Sequence, residues 1–178
     1  MKKILFALFI LFTTHTYGQD SATPTPTLKS ILLAQLKSTH NVKDWFVPVN
    51  IAVEGLTPAQ ANWKDSSGNH SIGQLVQHLI FWNQRQLDKF NGKPEQPFSG
   101  DNNETFSAVD QASWDATVKK IDTVLTELEK VIEQSDEQTL APWYTIIAHI
   151  SAHNAYHIGQ MLYIRKQQGS WNPENGVK

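Results

Sequence analysis

The chain of 178 residues contains no cysteine. This absence excludes disulfide bonds, thiolate metal ligands and a cysteine nucleophile, so the stability of the fold must come from a packed core or a bound metal. It also excludes the modified cysteine that anchors an exported lipoprotein to a membrane.

An excess of positive charge is missing as well. The chain has 15 basic and 17 acidic residues and a formal net charge of −2, which argues against nucleic acid as a partner. After the first residues, no apolar run approaches the roughly 20 residues of a membrane-spanning helix. We therefore expect no stable membrane insertion of the mature protein.

The N-terminus has the pattern of a bacterial signal peptide. Lys2 and Lys3 precede the apolar run Ile4–Phe12, which is too short for a comfortable transmembrane span. We predict a signal peptide over residues 1–18, cleaved after Gly18, and a periplasmic or secreted mature protein. Cleavage removes two of the 15 basic residues, so 13 would face 17 acidic ones, a net charge of about −4.

The remaining chain is consistent with one globular domain. Residues 19–27 form a polar lead-in with two prolines, which are unsuited to packing. We predict a folded domain over residues 28–172 and a C-terminal tail over 173–178. No internal repeats or low-complexity blocks interrupt it.

The spacing of apolar residues predicts four amphipathic helices and no convincing strand, which is typical of an all-α four-helix bundle. Ser71 and Gln74 form a capping-box pattern at the start of the second helix. The apolar stripe of the fourth helix consists of Ile146, Ile150, His153, His157, Met161 and Ile164. The four expected helices are residues 28–53 with a bend at Pro48, Ile72 to Phe90, a helix through Val118 and Ile132 after a loop ending near Ser107, and a helix from near Pro142 to Gly169.

Histidines recur at helical spacing in the fourth helix. His149, His153 and His157 are four residues apart, so neighbouring pairs point the same way and could hold one metal ion. His78 on the second helix offers a third ligand. The alternative is a polar or partly buried helix face, because buried imidazoles also occur with both nitrogens satisfied by other groups.

Two segments carry a family resemblance. Ser71-Ile-Gly-Gln-Leu-Val-Gln-His78 follows a loop with Trp63 and His70, and the histidine run ends in His157-Ile-Gly-Gln160. Together they resemble the DinB superfamily of four-helix-bundle metalloproteins. The resemblance implies that His78, His153 and His157 bind a divalent ion. His149 and Gln160 are expected to support the ligands rather than to bind the ion.

The resemblance also implies a function. Three neutral imidazoles leave an ion with an open position, and we expect zinc or nickel, with iron, manganese or copper as alternatives. The leading hypothesis is a metal-dependent hydrolase that acts on an unknown small molecule with metal-bound water as nucleophile. A general base is not recognisable, since the sequence lacks the H-E-x-x-H motif of metalloproteases. Carboxylates that could serve are Glu54, Asp65 and Glu104.

Other functions stay open at this point. Relatives include thiol-dependent S-transferases, but their thiols are kept reduced in the cytosol, which conflicts with export. A non-catalytic metal-binding or stress-related bundle and a plain interaction module are further alternatives, and related proteins often form homodimers. Several aromatic residues could line a pocket, although core positions are more common for aromatic side chains. The candidates are Trp82, Trp143 and Tyr156, with weaker cases for Trp63 and Trp171.

Overall fold

The computed structural model describes residues 25–110 and 112–176, so the expected signal peptide lies outside the described residues. Those residues form α-helices, short 3₁₀ segments and loops without a strand, which confirms the all-α prediction. The 3₁₀ segments are Asn102–Thr105, Ala141–Trp143 and Pro173–Asn175. The α-helices are α1 (Leu28–His40), α2 (Val49–Val53), α3 (Pro58–Asn62), α4 (Ile72–Phe90), α5 (Trp114–Gln134), α6 (Glu137–Leu140) and α7 (Tyr144–Gln167).

The four long helices pack around a shared core. Helix α1 contacts α5 and α7, and α4 contacts the same two helices from the other side. The short helices α2 and α3 close one end of this arrangement, with α2 against α7 and α3 against α4. None of the helices in the described part of the chain is both long enough and apolar enough to cross a bilayer.

The start of α4 follows from its capping residues. The Ser71 side chain accepts a hydrogen bond from the Gln74 backbone, and the Gln74 side chain accepts one from the Ser71 backbone, so the predicted capping box is present. The helix ends at Phe90, and Gly92 adopts a positive φ of 67° just beyond it. Glycine adopts this conformation at little steric cost.

The prediction of one continuous first helix is wrong. Helix α1 ends at His40, and the chain runs through a loop to Pro48, which is the N-cap of α2. Proline disfavours helical geometry in the residue before it, so a helix cannot run through Val47 into α2. The apolar spacing persisted across the break because Val47 and Val49 are buried in the core from outside α1.

Two other helix boundaries also differ from the prediction. Helix α5 begins only at Trp114, and α7 begins at Tyr144 after a 3₁₀ turn that contains Pro142. The predicted stripe on α7 is also displaced, because Ile146 and Ile164 are only half-buried. Ile150, His157 and Met161 of the predicted stripe are buried, and the buried face also includes Ile147, Asn154 and Ile158.

A polar layer divides the core into two apolar clusters. Leu79 on α4 and Ile158 on α7 belong to one cluster, whereas Leu87 and Ile150 belong to the other. Between them, Asn83 and Asn154 exchange hydrogen bonds of 2.9 and 3.3 Å, and Asn154 donates to Thr39 on α1 at 3.4 Å. Because buried amides require partners, this layer fixes the register of α4 against α7.

Candidate metal centre

Three histidines from two helices converge beside this polar layer. His78 lies in the second turn of α4, and His153 and His157 occupy successive turns of α7. The Nε2 atom of His153 lies 3.0 Å from Nε2 of His78 and 3.1 Å from Nε2 of His157. One ligand atom from each residue lies within 4.8 Å of the others, so the three side chains, here called the triad, could hold one metal ion.

Hydrogen bonds on the far side of the rings determine which nitrogen of His78 carries the proton. Thr105 Oγ1 donates to the carbonyl of Asn102 at 2.7 Å, so it can only accept from His78 Nδ1, at 2.5 Å. His78 is therefore protonated on Nδ1 and presents the lone pair of Nε2 to the triad.

The same logic applies to His157. Its Nδ1 atom donates to the side-chain carbonyl of Gln160 at 2.7 Å, which leaves its Nε2 lone pair facing inward. His153 carries at most one proton on its own Nε2, so it cannot give both neighbours a full hydrogen bond. A shared cation would satisfy all three nitrogens, and the donor set therefore fits a divalent ion.

Burial keeps these imidazoles neutral. Burial, followed by the neighbouring histidines, lowers the pKa of His78 to about 3. Burial and the charge of His157 lower the pKa of His153 to about 4, and burial also lowers the pKa of His157. A neutral imidazole is the form that binds a metal, so the site is ready for a cation at neutral pH.

A stack of aromatic rings contacts His78 through Phe106, which lies in the loop after α4. Phe106 lies parallel to His78 with ring centroids 4.1 Å apart, and His70 lies parallel to Phe106 at 3.7 Å. Trp82 faces the edge of His78 and donates its indole N–H to Asn102 at 3.2 Å. The loop that follows α4 is thereby fastened onto the triad.

A cavity of about 810 Å³ opens at the triad between α4 and α7. Its lining includes Lys89 but, within the described residues, no aspartate or glutamate. None of the three carboxylates that the sequence offered as bases lines this cavity. Asp65 accepts hydrogen bonds within its own loop, Glu104 accepts one from Ser99, and Glu54 lines a separate groove beside α5.

The structure places the other predicted site residues in different settings. Gln160 contacts the triad through His157, as described, whereas His149 is exposed and lines the cavity one turn before His153. Trp82 and Tyr156 also line the cavity. Trp143 packs against Phe90 in the second apolar cluster instead.

Sequence reasoning missed Thr105 and Phe106, which contact His78 from the loop after α4. It also missed a buried histidine on α1. His40 is fully buried, and its Nδ1 and Nε2 atoms lie 2.7 Å from Glu129 and 3.0 Å from Asp122 on α5. One signal could have revealed it: Leu32, Leu36 and His40 are four residues apart, as the α7 histidines are.

We call His40, Asp122 and Glu129 the acidic cluster. Burial lowers the pKa of His40, but the hydrogen bonds and charges of the two carboxylates outweigh burial and raise that pKa above its ordinary value. Hydrogen bonds from Asn50 and then His40 lower the pKa of Asp122. His40 is therefore best described as an imidazolium that donates from both nitrogens.

An all-helical domain that gathers three neutral imidazoles from two facing helices belongs to the class of helical proteins with a metal site between helices. Residues 49–161, more than half of the chain, match the family model described as DinB superfamily. The chain belongs to the DinB superfamily, a metal-binding family, which confirms the resemblance seen in the sequence. Searches of curated proteins and of solved structures gave no match.

Proposed function

We propose that this protein is an exported hydrolase of the DinB superfamily, with a four-helix-bundle core, that uses one divalent ion to act on a small molecule. The observation that carries the proposal is the convergence of three neutral imidazole nitrogens on a cavity of about 810 Å³. Cavities of this size accommodate small-molecule ligands.

His78, His153 and His157 would hold the ion. When bound, a divalent ion supplies Lewis-acid chemistry, polarising a substrate oxygen and making water more acidic. Gln160 and Thr105 hold the outer nitrogens of His157 and His78, so the inner nitrogens stay free and correctly oriented. Trp82 and Phe106 contribute apolar walls to the cavity beside the triad.

The first test is elemental analysis of the mature, untagged protein purified from its own compartment. We expect near-stoichiometric zinc or nickel in the wild type and its loss in His153→Ala and His157→Ala. His149→Ala is the matched control, because it removes an exposed histidine from the same helix. No metal in the wild type after incubation with Zn²⁺ and Ni²⁺ would contradict the proposal.

Catalysis needs a separate measurement. The zinc- or nickel-loaded protein is screened against small esters, amides and phosphate esters, with His153→Ala as the blank. We expect turnover that depends on the loaded ion and disappears in the variant. Equal rates for the two proteins would refute the hydrolase assignment while leaving the metal site intact.

A second candidate is a metal-binding protein without turnover. It is favoured by the lining of the cavity, which has no carboxylate to act as general base among the residues that the structure describes. A structural ion predicts a closed coordination sphere and a large loss of thermal stability on chelation. X-ray absorption spectroscopy of the loaded protein distinguishes the two, because an open site contains an exchangeable oxygen ligand.

Export, the extent of the domain and assembly complete the proposal. We assign residues 1–18 to a signal peptide and residues 28–172 to the folded domain, with a homodimer as the assembly and no role in nucleic-acid binding. N-terminal sequencing of the secreted or periplasmic protein is expected to begin at Gln19. Light scattering of the purified protein is expected to give twice the mass of the mature chain.

A further inference from the structure

We propose that a second pocket, next to the triad, binds an uncharged ring of the substrate and that Gly159 forms its floor. The identity of this ligand as substrate rests on the function proposed above. The pocket itself rests on separate observations.

The pocket adjoins the metal cavity. It has a volume of about 390 Å³ and lies between the loop at residues 63–70 and the exposed face of α7. His70, Leu75, Tyr156 and Gln160 line both the pocket and the cavity. A molecule in the pocket would therefore lie next to the cavity that contains the triad.

Gly159 leaves room that packing does not require. It lies within α7, where glycine is less favourable than alanine, and a Cβ atom built there would meet nothing within 4 Å. Gly73 on α4 shows the opposite case, since a Cβ there would lie 3.1 Å from Val109 and 3.3 Å from the carbonyl of Ala61. Close packing explains why residue 73 is a glycine. At residue 159 no neighbour requires a glycine, and its effect is to leave open space in the pocket.

Aromatic side chains surround this floor. Tyr156 and Tyr163 lie one turn before and one turn after Gly159, and they are 64% and 62% exposed. Trp63 lines the pocket from the opposite loop. Large aromatic rings at this level of exposure contribute little to the core, but their faces suit the stacking of a flat ring.

The charges of the pocket cancel. Lys64 and Asp65 are its charged residues with opposite signs, and the Asp65 carboxylate accepts hydrogen bonds from Ser67 and Asn69 within the loop. The other polar groups include the amides of Gln160 and Gln167. This lining favours an uncharged ring with hydrogen-bonding groups over an ionised one.

The helix sets the distance between the ring and the triad. Tyr163 lies six positions after His157, which corresponds to about 9 Å along α7 at 1.5 Å per residue. We therefore expect a short chain to join a ring in the pocket to the metal-directed group.

The test compares two hydroxamates, a group that binds an open metal ion, by calorimetric titration of the zinc-loaded protein. Acetohydroxamate has no ring, whereas 4-phenylbutanohydroxamate has one on a three-carbon chain. We expect the phenyl compound to bind at least about 10-fold more tightly to the wild type. Gly159→Leu fills the floor and is expected to reduce this ratio to within about 2-fold, with acetohydroxamate affinity unchanged.

Two further variants guard against an indirect effect. Ala152→Leu adds the same side chain to an exposed position on α7 outside the pocket and is expected to leave the ratio unchanged. Tyr163→Ala is expected to reduce the ratio about 3-fold without filling space. A wild-type ratio near one, or a ratio that Gly159→Leu does not change, overturns the pocket assignment.

Failure of the metal site gives a different result. If neither hydroxamate binds the zinc-treated wild type, the proposed metal-dependent function fails. Titration of metal-free protein with 4-phenylbutanol, followed through the indole NMR signal of Trp63, then decides the pocket alone. Saturable shifts that Gly159→Leu abolishes support the pocket, and their absence in the wild type refutes it.

Discussion

The triad and the acidic cluster bury the same type of side chain in opposite states of charge. In the triad, the inner nitrogens of three neutral histidines face each other, and each outer contact of His78 and His157 is to an uncharged oxygen. In the acidic cluster, the two nitrogens of His40 each face a carboxylate. The first arrangement is suited to receive a cation, and the second already contains one.

The difference shows that the neighbours of a buried histidine, and not its burial, decide its role. Burial disfavours the charged imidazole in both places. Only at His40 do Glu129 and Asp122 outweigh that effect, whereas no carboxylate lines the cavity at the triad within the described chain. The triad histidines therefore stay neutral, whereas His40 takes up a proton.

Loss of the His40 side chain is expected to have the largest effect on stability and tests the comparison most directly. We expect His40→Ala to lower the free energy of unfolding by about 3–5 kcal/mol, because Glu129 would stay buried without its counter-charge. Urea unfolding in EDTA near pH 6 measures this change in unfolding free energy. In a separate titration, the zinc affinity is expected to stay unchanged. His149→Ala is the control, with a change within about 0.5 kcal/mol. Equal effects of the two variants would contradict our assignment of the acidic cluster.

The pH dependence of stability should have opposite signs at the two sites. The lowered pKa of His78 means that only the unfolded chain binds its proton between about pH 6.5 and 3. In EDTA, the contribution of His78 should therefore fall by about 1.4 kcal/mol per pH unit as the pH drops below 6.5. The difference in unfolding free energy between wild type and His78→Gln, at about pH 6 and pH 4.5, gives this slope.

For His40 the sign is reversed. Its raised pKa means that its contribution is fully present below about pH 6.5 and is lost as the pH rises through the pKa of the folded state. The difference in unfolding free energy between wild type and His40→Ala should thus be constant below about pH 6.5 and shrink as the pH rises through the raised pKa of the folded state. Parallel slopes for the His78 and His40 variants would break the comparison.

A smaller effect concerns the outer contact of a ligand. Thr105→Val keeps the shape of the side chain but removes the acceptor for His78 Nδ1. We expect zinc affinity to fall by about 10- to 100-fold, as is usual when the partner of a metal-binding histidine is lost. A competition titration with a chelator measures the change, and Thr123→Val on the exposed face of α5 is the control. An unchanged affinity would show that Thr105 does not orient His78.

The smallest effect is expected at the exposed edge of the acidic cluster. The Asp122 side chain is 50% exposed, so solvent screens its pairing with His40. Asp122→Asn should cost less than about 1 kcal/mol in unfolding free energy, and Glu129→Gln should cost more because Glu129 is only 10% exposed. Urea unfolding of both variants ranks them, and the reverse order would refute this account.

The sequence predicted those parts of the molecule whose signals are local. The Ser71–Gln74 capping box gave the start of α4, and the four-residue spacing of His153 and His157 predicted their shared face. Thr105 and Phe106 were not predictable, because their positions depend on how a long loop folds back over α4. Partners in the acidic cluster were missed for the same reason, since His40 and Glu129 are 89 residues apart.

One consequence follows from the attachment of the loop after α4 to His78. Thr105 accepts a hydrogen bond from Nδ1 of His78 and Phe106 stacks on the same imidazole, so the folding of this loop and the occupancy of the ion site are thermodynamically linked. If a bound ion favours the ordered form of the loop by some factor, the ordered loop must increase the affinity for the ion by the same factor. A ligand or partner that binds only the outer surface of this loop would thereby regulate metal retention without approaching the metal.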